Sequence, residues 1–143
     1  MKKFQLQKSF LLEAAHFLPL VDDEHKCKRV HGHSYTLTFC ISSEKLIDGM
    51  VCDFKDISFV VKTVIINVLD HRLLNDFPRL ENPTAENLAA YCAEIFLHEF
   101  RMLYYRPTHP WHKDRKKHFI RLDAVEVQET ATSVCRYEVG EHI

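Results

Sequence analysis

The chain has 143 residues, 46% of them hydrophobic and 27% charged, and a net charge of −1 with histidine neutral. That length suits one domain, residues 1–143, around a single core. The charge balance gives no sign of the strongly basic surface of a nucleic-acid binder, and no stretch is apolar enough to span a bilayer, so neither nucleic acid nor membrane is an expected partner. Residues 1–10 carry positive charge but no apolar run ahead of a small-residue cleavage site, so the expected location is the cytoplasm. Five cysteines, at 27, 40, 52, 92 and 135, form no CxxC pair and leave at least one thiol unpaired within the chain. Ten histidines are the unusual feature, because imidazole is a common metal ligand and proton carrier.

In chain order, residues 3–17 alternate. Phe4, Leu6, Phe10, Leu12 and Ala14 share one parity, with Lys8 the exception, and His16 continues it. That is a strand with those positions toward the core. Residues 18–30 read as a polar loop. A second strand spans 31–42, with Tyr35, Leu37, Phe39 and Ile41 on the face that also carries His31 and His33. Asp48-Gly49 marks a turn, and a short third strand at 50–52 is expected on the edge of this hairpin. Residues 55–69 repeat apolar groups at helical spacing, capped by Asp53 and helped by Asp56 in the first turn. A loop at 70–82 ends at Pro83. A second helix then runs to about Tyr104, capped by Thr84. Residues 106–118 read as an exposed, solvated basic connection. Strands at 119–130 and 133–139 complete the chain. The expected class is α+β, an antiparallel four-stranded sheet with two helices on one face.

His31-Gly-His33 is the sharpest local signal. Two residues two apart on a strand point to the same side, so both imidazoles can reach one ion. Gly32 leaves the opposite face uncrowded. Pairing of the first two strands would bring His16 to the same point. Three neutral imidazoles suit Zn²⁺ and leave a fourth position open, the pattern of a catalytic site. The bland alternative is a set of buried, hydrogen-bonded histidines.

Cys27 lies in the charged run Lys26-Cys27-Lys28-Arg29. Neighbouring cations and a metal favour a thiolate, which makes Cys27 a candidate base or nucleophile; a free surface thiol is the alternative. Cys40, Cys52 and Cys92 read as packing residues, and Cys135 is ambiguous. Asp70-His71 follows the first helix, where a carboxylate can orient the ring; His71 could equally cap the helix. Cys27, Asp70 and His71 together would supply an acid–base relay. Glu129 shares the parity of Val125 and Val127, and a carboxylate on an apolar face needs a partner. The paired N–H donors of an aminopyrimidine edge would suit it, as would a salt bridge.

Several segments in order resemble the 6-pyruvoyl-tetrahydropterin synthase family: Phe-Leu-Leu-Glu-Ala-Ala-His16, Cys27-Lys-Arg-Val-His31-Gly-His33-Ser-Tyr, Gly49-Met-Val-Cys-Asp53-Phe, Leu69-Asp70-His71-Arg-Leu-Leu-Asn75, Glu81-Asn-Pro-Thr84-Ala-Glu-Asn87 and Gln128-Glu129-Thr130. The resemblance implies a tunnelling fold assembled into an oligomeric barrel, a homohexamer of two stacked trimers with active sites at subunit interfaces. It implies zinc on His16, His31 and His33, a proton relay of Cys27, Asp70 and His71, and a pterin held by Glu129 and, less directly, Thr84. The implied substrate is 7,8-dihydroneopterin triphosphate. The short Cys27-to-His31 spacing looks like the branch that forms 6-carboxy-5,6,7,8-tetrahydropterin, acetaldehyde and triphosphate on the route to queuosine. The sister activity forming 6-pyruvoyl-tetrahydropterin, and a non-catalytic zinc-stabilised pterin-binding assembly, are the alternatives. Lys26, Lys28 and Arg29 are candidates for the triphosphate. The 106–118 connection is longer than the resemblance leads one to expect.

Overall fold

The computed structural model describes residues 2–114 and 119–143. Two long strands, β1 (Phe4–His16) and β2 (His31–Ser43), pair antiparallel with His16 opposite His31 and Ala14 opposite His33. Alternation delivers most of the expected face: Phe10, Leu12, Ala14, Tyr35, Leu37, Phe39 and Ile41 are buried and Leu11 on the other face is 70% exposed, but Phe4 at the strand's start is 55% exposed. Lys8 breaks the apolar run, yet its ammonium lies 5.8 Å over the Phe54 ring, so its stem still packs inward.

Helix α1 (Phe54–Val61) starts where Asp53 accepts a hydrogen bond from the Lys55 N–H, as expected. It continues through a π-helical stretch (Lys62–Ile66) into α2 (Asn67–Leu69). The run of β-branched residues there disfavours ideal α geometry. Strand β3 (Arg72–Leu73) adds to β1 in parallel, opposite Ala14 and Ala15. Helix α3 (Ala85–Tyr105) is capped by Thr84 Oγ1, which accepts from the Asn87 N–H at 3.1 Å. It buries Leu88, Ala89, Cys92, Phe96, Phe100 and Tyr104 against the sheet at three- and four-residue spacing. Strands β4 (Arg121–Thr130) and β5 (Ser133–His142) complete an antiparallel hairpin on the far side of β2.

The α+β class holds, with two corrections. The sheet has five strands in the order β3-β1-β2-β4-β5 and is mixed, because the residues after Asp70 turn back alongside β1. The expected strand at 50–52 is absent: an isolated bridge joins Ile47 to Met50, and Val51 and Cys52 turn into the core. Burial pushes the Cys52 thiol up to about 12, with Asp56 and Asp53 adding to the effect, so it is a neutral packing group. Cys40 and Cys92 are likewise fully buried, whereas Cys27 and Cys135 are half-buried, and all five thiols are free.

The 106–118 connection is also not simply solvated. Residues 115–118 lie outside the described residues, but Trp111 is buried and His109 docks on the start of α1. His109 Nε2 donates to Asp56 at 3.1 Å, and its Nδ1 accepts from the Trp111 N–H at 3.2 Å. Both ring nitrogens are spent on packing. Aromatic rings continue the contact inward, from His109 to Tyr104, Phe100, Phe96 and Phe39 at centroid spacings of 4.2 to 4.9 Å.

Asn75 ties the end of β1 to the segment before α3. Its side-chain oxygen accepts from the Phe17 N–H, and its amide donates to the carbonyls of Phe17 and Glu81. Asn75→Ala strands those part-buried groups and is expected to cost about 1–3 kcal/mol. The check is a lower urea midpoint with an unchanged slope.

Candidate metal centre

The end of the sheet below Pro83 gathers His16, His31 and His33 on its helix-covered face. Register alone does this: His16 faces His31 across the β1–β2 ladder, and His33 lies two residues further along the same face. A Cβ at residue 32 would meet the Ala14 carbonyl oxygen at 3.4 Å, an ordinary contact, so the cluster does not demand Gly32. Glu129 reaches the same point from β4, beside a register shift between Gln128 and Thr130. A bulge of this kind re-aims a side chain.

Two backbone carbonyls set the rings. His16 Nδ1 donates to Pro83 O at 2.7 Å, and His31 Nδ1 donates to Arg29 O at 2.7 Å. A carbonyl only accepts, so each proton sits on Nδ1 and each Nε2 presents a lone pair. Those two Nε2 atoms lie 3.0 Å apart. Two acceptors facing each other at that distance repel unless a cation lies between them. His33 Nε2 is buried and lacks an aligned hydrogen-bond partner, although Glu129 Oε1 is 2.7 Å away. The four donor atoms of His16, His31, His33 and Glu129 lie within 4.8 Å of one another. The donor set therefore fits a divalent metal, and three imidazoles with a carboxylate suit zinc.

Sequence reasoning missed the carbonyls of Pro83 and Arg29, because a backbone acceptor has no residue signature. It also missed Tyr35, whose hydroxyl is 3.3 Å from His16 Nδ1. Tyr35 was legible in principle, as the next inward position after His33. Burial and the Glu129 charge hold its phenol well above the ordinary tyrosine value, so it stays neutral.

Burial lowers the His16 imidazole from its usual value, with His31 and His33 assisting and the Pro83 carbonyl and Glu129 opposing. Burial lowers His33 as well, against the attraction of Glu129. Both rings thus keep the neutral, ligating form at pH values where a free imidazole begins to charge, about 6.5. Zinc affinity is expected to hold from pH 7 to about 6.5 and to fall only below that, as read by competition titration. The metal-free fold should lose stability in the same direction, because the unfolded chain takes up protons first as pH drops.

The relay residues divide into two groups. Cys27 sits in a 3-10 turn (Lys26–Lys28), its N–H bonded to His25 Nδ1 and its carbonyl to the Leu18 N–H. That turn joins the ends of the strands carrying His16 and His31. Lys28 is bonded to Asp23 and the Val21 carbonyl, while Lys26 and Arg29 are exposed. Asp70 and His71 lie on the outer edge of β1. Asp70 accepts from the Glu13 N–H at 2.9 Å and from His71 Nδ1 at 2.6 Å. The Glu13 bond, then the His71 bond, hold Asp70 below its usual carboxylate value. His71 adopts φ 59°, and its N–H bonds to Glu13 O rather than to the preceding helix, so it is not a helix cap. Left-handed backbone at a non-glycine residue is strained and marks a position fixed by its surroundings. Among the described residues, no hydrogen bond or ion pair joins Cys27 to Asp70 or His71.

No described helix is long and apolar enough to cross a membrane. Residues 5–140 match the family model described as 6-pyruvoyl tetrahydropterin synthase. The chain is 36% identical over 137 residues to a 6-carboxy-5,6,7,8-tetrahydropterin synthase of Synechocystis, covering 92% of this chain and 91% of that protein. It is 32% identical over 130 residues to the protein of that name from Bacillus subtilis, covering 73% and 86%. Its fold matches the solved 6-pyruvoyl tetrahydropterin synthase of Caenorhabditis elegans with a TM-score of 0.73, at 23% identity and 98% coverage of both chains.

Proposed function

The chain belongs to the 6-pyruvoyl tetrahydropterin synthase family, and from that premise we propose that it is a zinc-dependent lyase of the carboxy-forming branch. It converts 7,8-dihydroneopterin triphosphate to 6-carboxy-5,6,7,8-tetrahydropterin, acetaldehyde and triphosphate, in the cytoplasm, on the route to queuosine. The convergence of three imidazoles, two of them with Nε2 lone pairs turned toward each other and the third with its Nε2 beside them, carries the reading. It occurs in a chain whose relatives over most of its length bear that product's name.

A zinc ion on His16, His31 and His33 supplies Lewis-acid polarisation of a substrate oxygen. The residues do the rest. Glu129 receives the aminopyrimidine edge of the ring. Thr84 accepts from Asn87 and keeps its own hydroxyl proton to donate, one residue from the Pro83 carbonyl that holds His16. Cys27 takes the proton from the side-chain carbon, and His71, oriented by Asp70, returns one. Ring reduction draws on the side chain itself, so no nicotinamide is required. Lys26 and Arg29 meet the triphosphate.

In this reading a second chain supplies its Asp70 and His71 to the relay, and the active site lies between subunits of a homohexamer built from two trimers. Two features support assembly. Among the described residues, the ten-residue strand β5 ends the sheet with one edge unpaired, and the sheet face opposite the helices exposes Gln7, Ser9, Leu11, Glu13 and Ser34. Mass spectrometry of the product, with an acetaldehyde test, decides the branch. Carboxy-tetrahydropterin with acetaldehyde is expected. Pyruvoyl-tetrahydropterin without acetaldehyde would move the chain to the sister activity, and no turnover with zinc bound would leave a pterin-binding assembly.

A further inference from the structure

We infer that Glu129 is the fourth metal ligand of the substrate-free enzyme and leaves the metal when the pterin ring arrives. The inference rests on the reading that the cluster holds a metal and that Glu129 receives the ring.

Its carboxylate has no other attachment. Among the described residues its only polar contacts are His33 Nε2 at 2.7 Å and His16 Nε2 at 3.5 Å. Among the described residues, no backbone N–H, hydroxyl, lysine or arginine satisfies it. The Nε2 of His16 carries no proton to offer, since the Pro83 carbonyl holds that ring's proton on Nδ1. A part-buried anion beside the His16 lone pair is unfavourable unless a cation lies between them. A tetrahedron with bonds of about 2.05 Å has edges near 3.3 Å. Three of the six edges here are 3.0 Å for His16–His31, 3.5 Å for His16–Glu129 and 2.7 Å for His33–Glu129, and the other three lie within 4.8 Å.

The Glu129 side chain is 25% exposed, against 2% for His16 and 18% for His33, and unlike His16 it has, among the described residues, no backbone carbonyl holding it in place. Pairing with two ring N–H donors engages both carboxylate oxygens and weakens their hold on the metal. Ring recognition would then open the coordination position that the substrate's hydroxyls take. A polyol lacking the aminopyrimidine edge could not open it. This couples substrate choice to metal access, with a single residue as the switch.

Co²⁺ loaded into the metal-free protein tests this through its visible absorption. Wild type should show the intense bands of a closed four-coordinate centre. Glu129→Ala should show weaker, shifted bands and Co²⁺ binding about tenfold weaker or more. Adding 6-methylpterin, which has the ring edge and no side-chain hydroxyl, should move the wild-type spectrum toward that of Glu129→Ala and leave the variant unchanged. If the alanine variant fails to fold, Glu129→Gln keeps the shape and should shift the bands the same way. Superimposable wild-type and variant spectra would overturn the inference, as would bound 6-methylpterin that leaves the wild-type spectrum untouched. Failure of the underlying reading is separately visible: Co²⁺ would not bind wild type at one per chain, or binding would survive His31→Ala unchanged.

Discussion

Replacing Cys27 by Ala is expected to lower kcat by about 10²–10⁴-fold, the usual worth of a positioned acid or base, with one zinc per chain still bound. The fold should not notice. The turn is held by backbone bonds to His25 and Leu18, not by the thiol, which is half-buried and free. A selective loss in kcat with KM little changed therefore reports chemistry. His71→Ala should give a comparable loss, because it removes the other end of the relay. The two variants together test where that relay closes. Among the described residues no hydrogen bond or ion pair joins Cys27 to the Asp70–His71 pair, which is fixed to the outer edge of β1. If each site takes Cys27 from one subunit and His71 from its neighbour, co-expressed Cys27→Ala and His71→Ala chains recover about a quarter of the sites. No recovery above the single variants would place both residues in the same subunit's site, or one of them outside it.

His33→Ala is the second large effect. Loss of one imidazole should weaken zinc binding severely and remove Lewis-acid stabilisation of about 4 kcal/mol, roughly 10³-fold in rate. The metal-free chain should fare differently. His33 Nε2 is a buried nitrogen without an aligned partner, so its removal is expected to leave stability of the metal-free fold unchanged or slightly raised. Activity and stability then move apart. An alanine variant that unfolds in the absence of metal would show instead that the histidines are packing groups.

Period-two alternation was enough to put His16, His31, His33 and Glu129 on one face, because strand parity is strict and the β1–β2 register is unbroken over 13 pairs. It was not enough to show Glu129 joining the histidines, since the register shift beside it comes from pairing with β5. The caps Asp53 and Thr84 were legible as local chemistry. The π-helical stretch was not: its β-branched residues satisfy an α-helical pattern equally well. Strand β3 was hidden because two residues carry no periodicity, and tertiary contact with Ala14 and Ala15 makes them a strand. The basic connection was misread from its charge. Its anchors are Trp111 and His109, and the Asp56 that receives His109 has a second use at the helix N-terminus. Residues that meet across chains, as Cys27 and His71 are proposed to do, leave no trace in one chain's spacing.

The most direct test is to titrate zinc into metal-free protein while following acetaldehyde released from 7,8-dihydroneopterin triphosphate. Turnover should rise in proportion to added zinc and level off at one ion per chain, with no rise for His33→Ala. Acetaldehyde release that is already complete without metal, or that ignores the loss of His33, would contradict a metal centre on His16, His31 and His33 as the seat of the reaction.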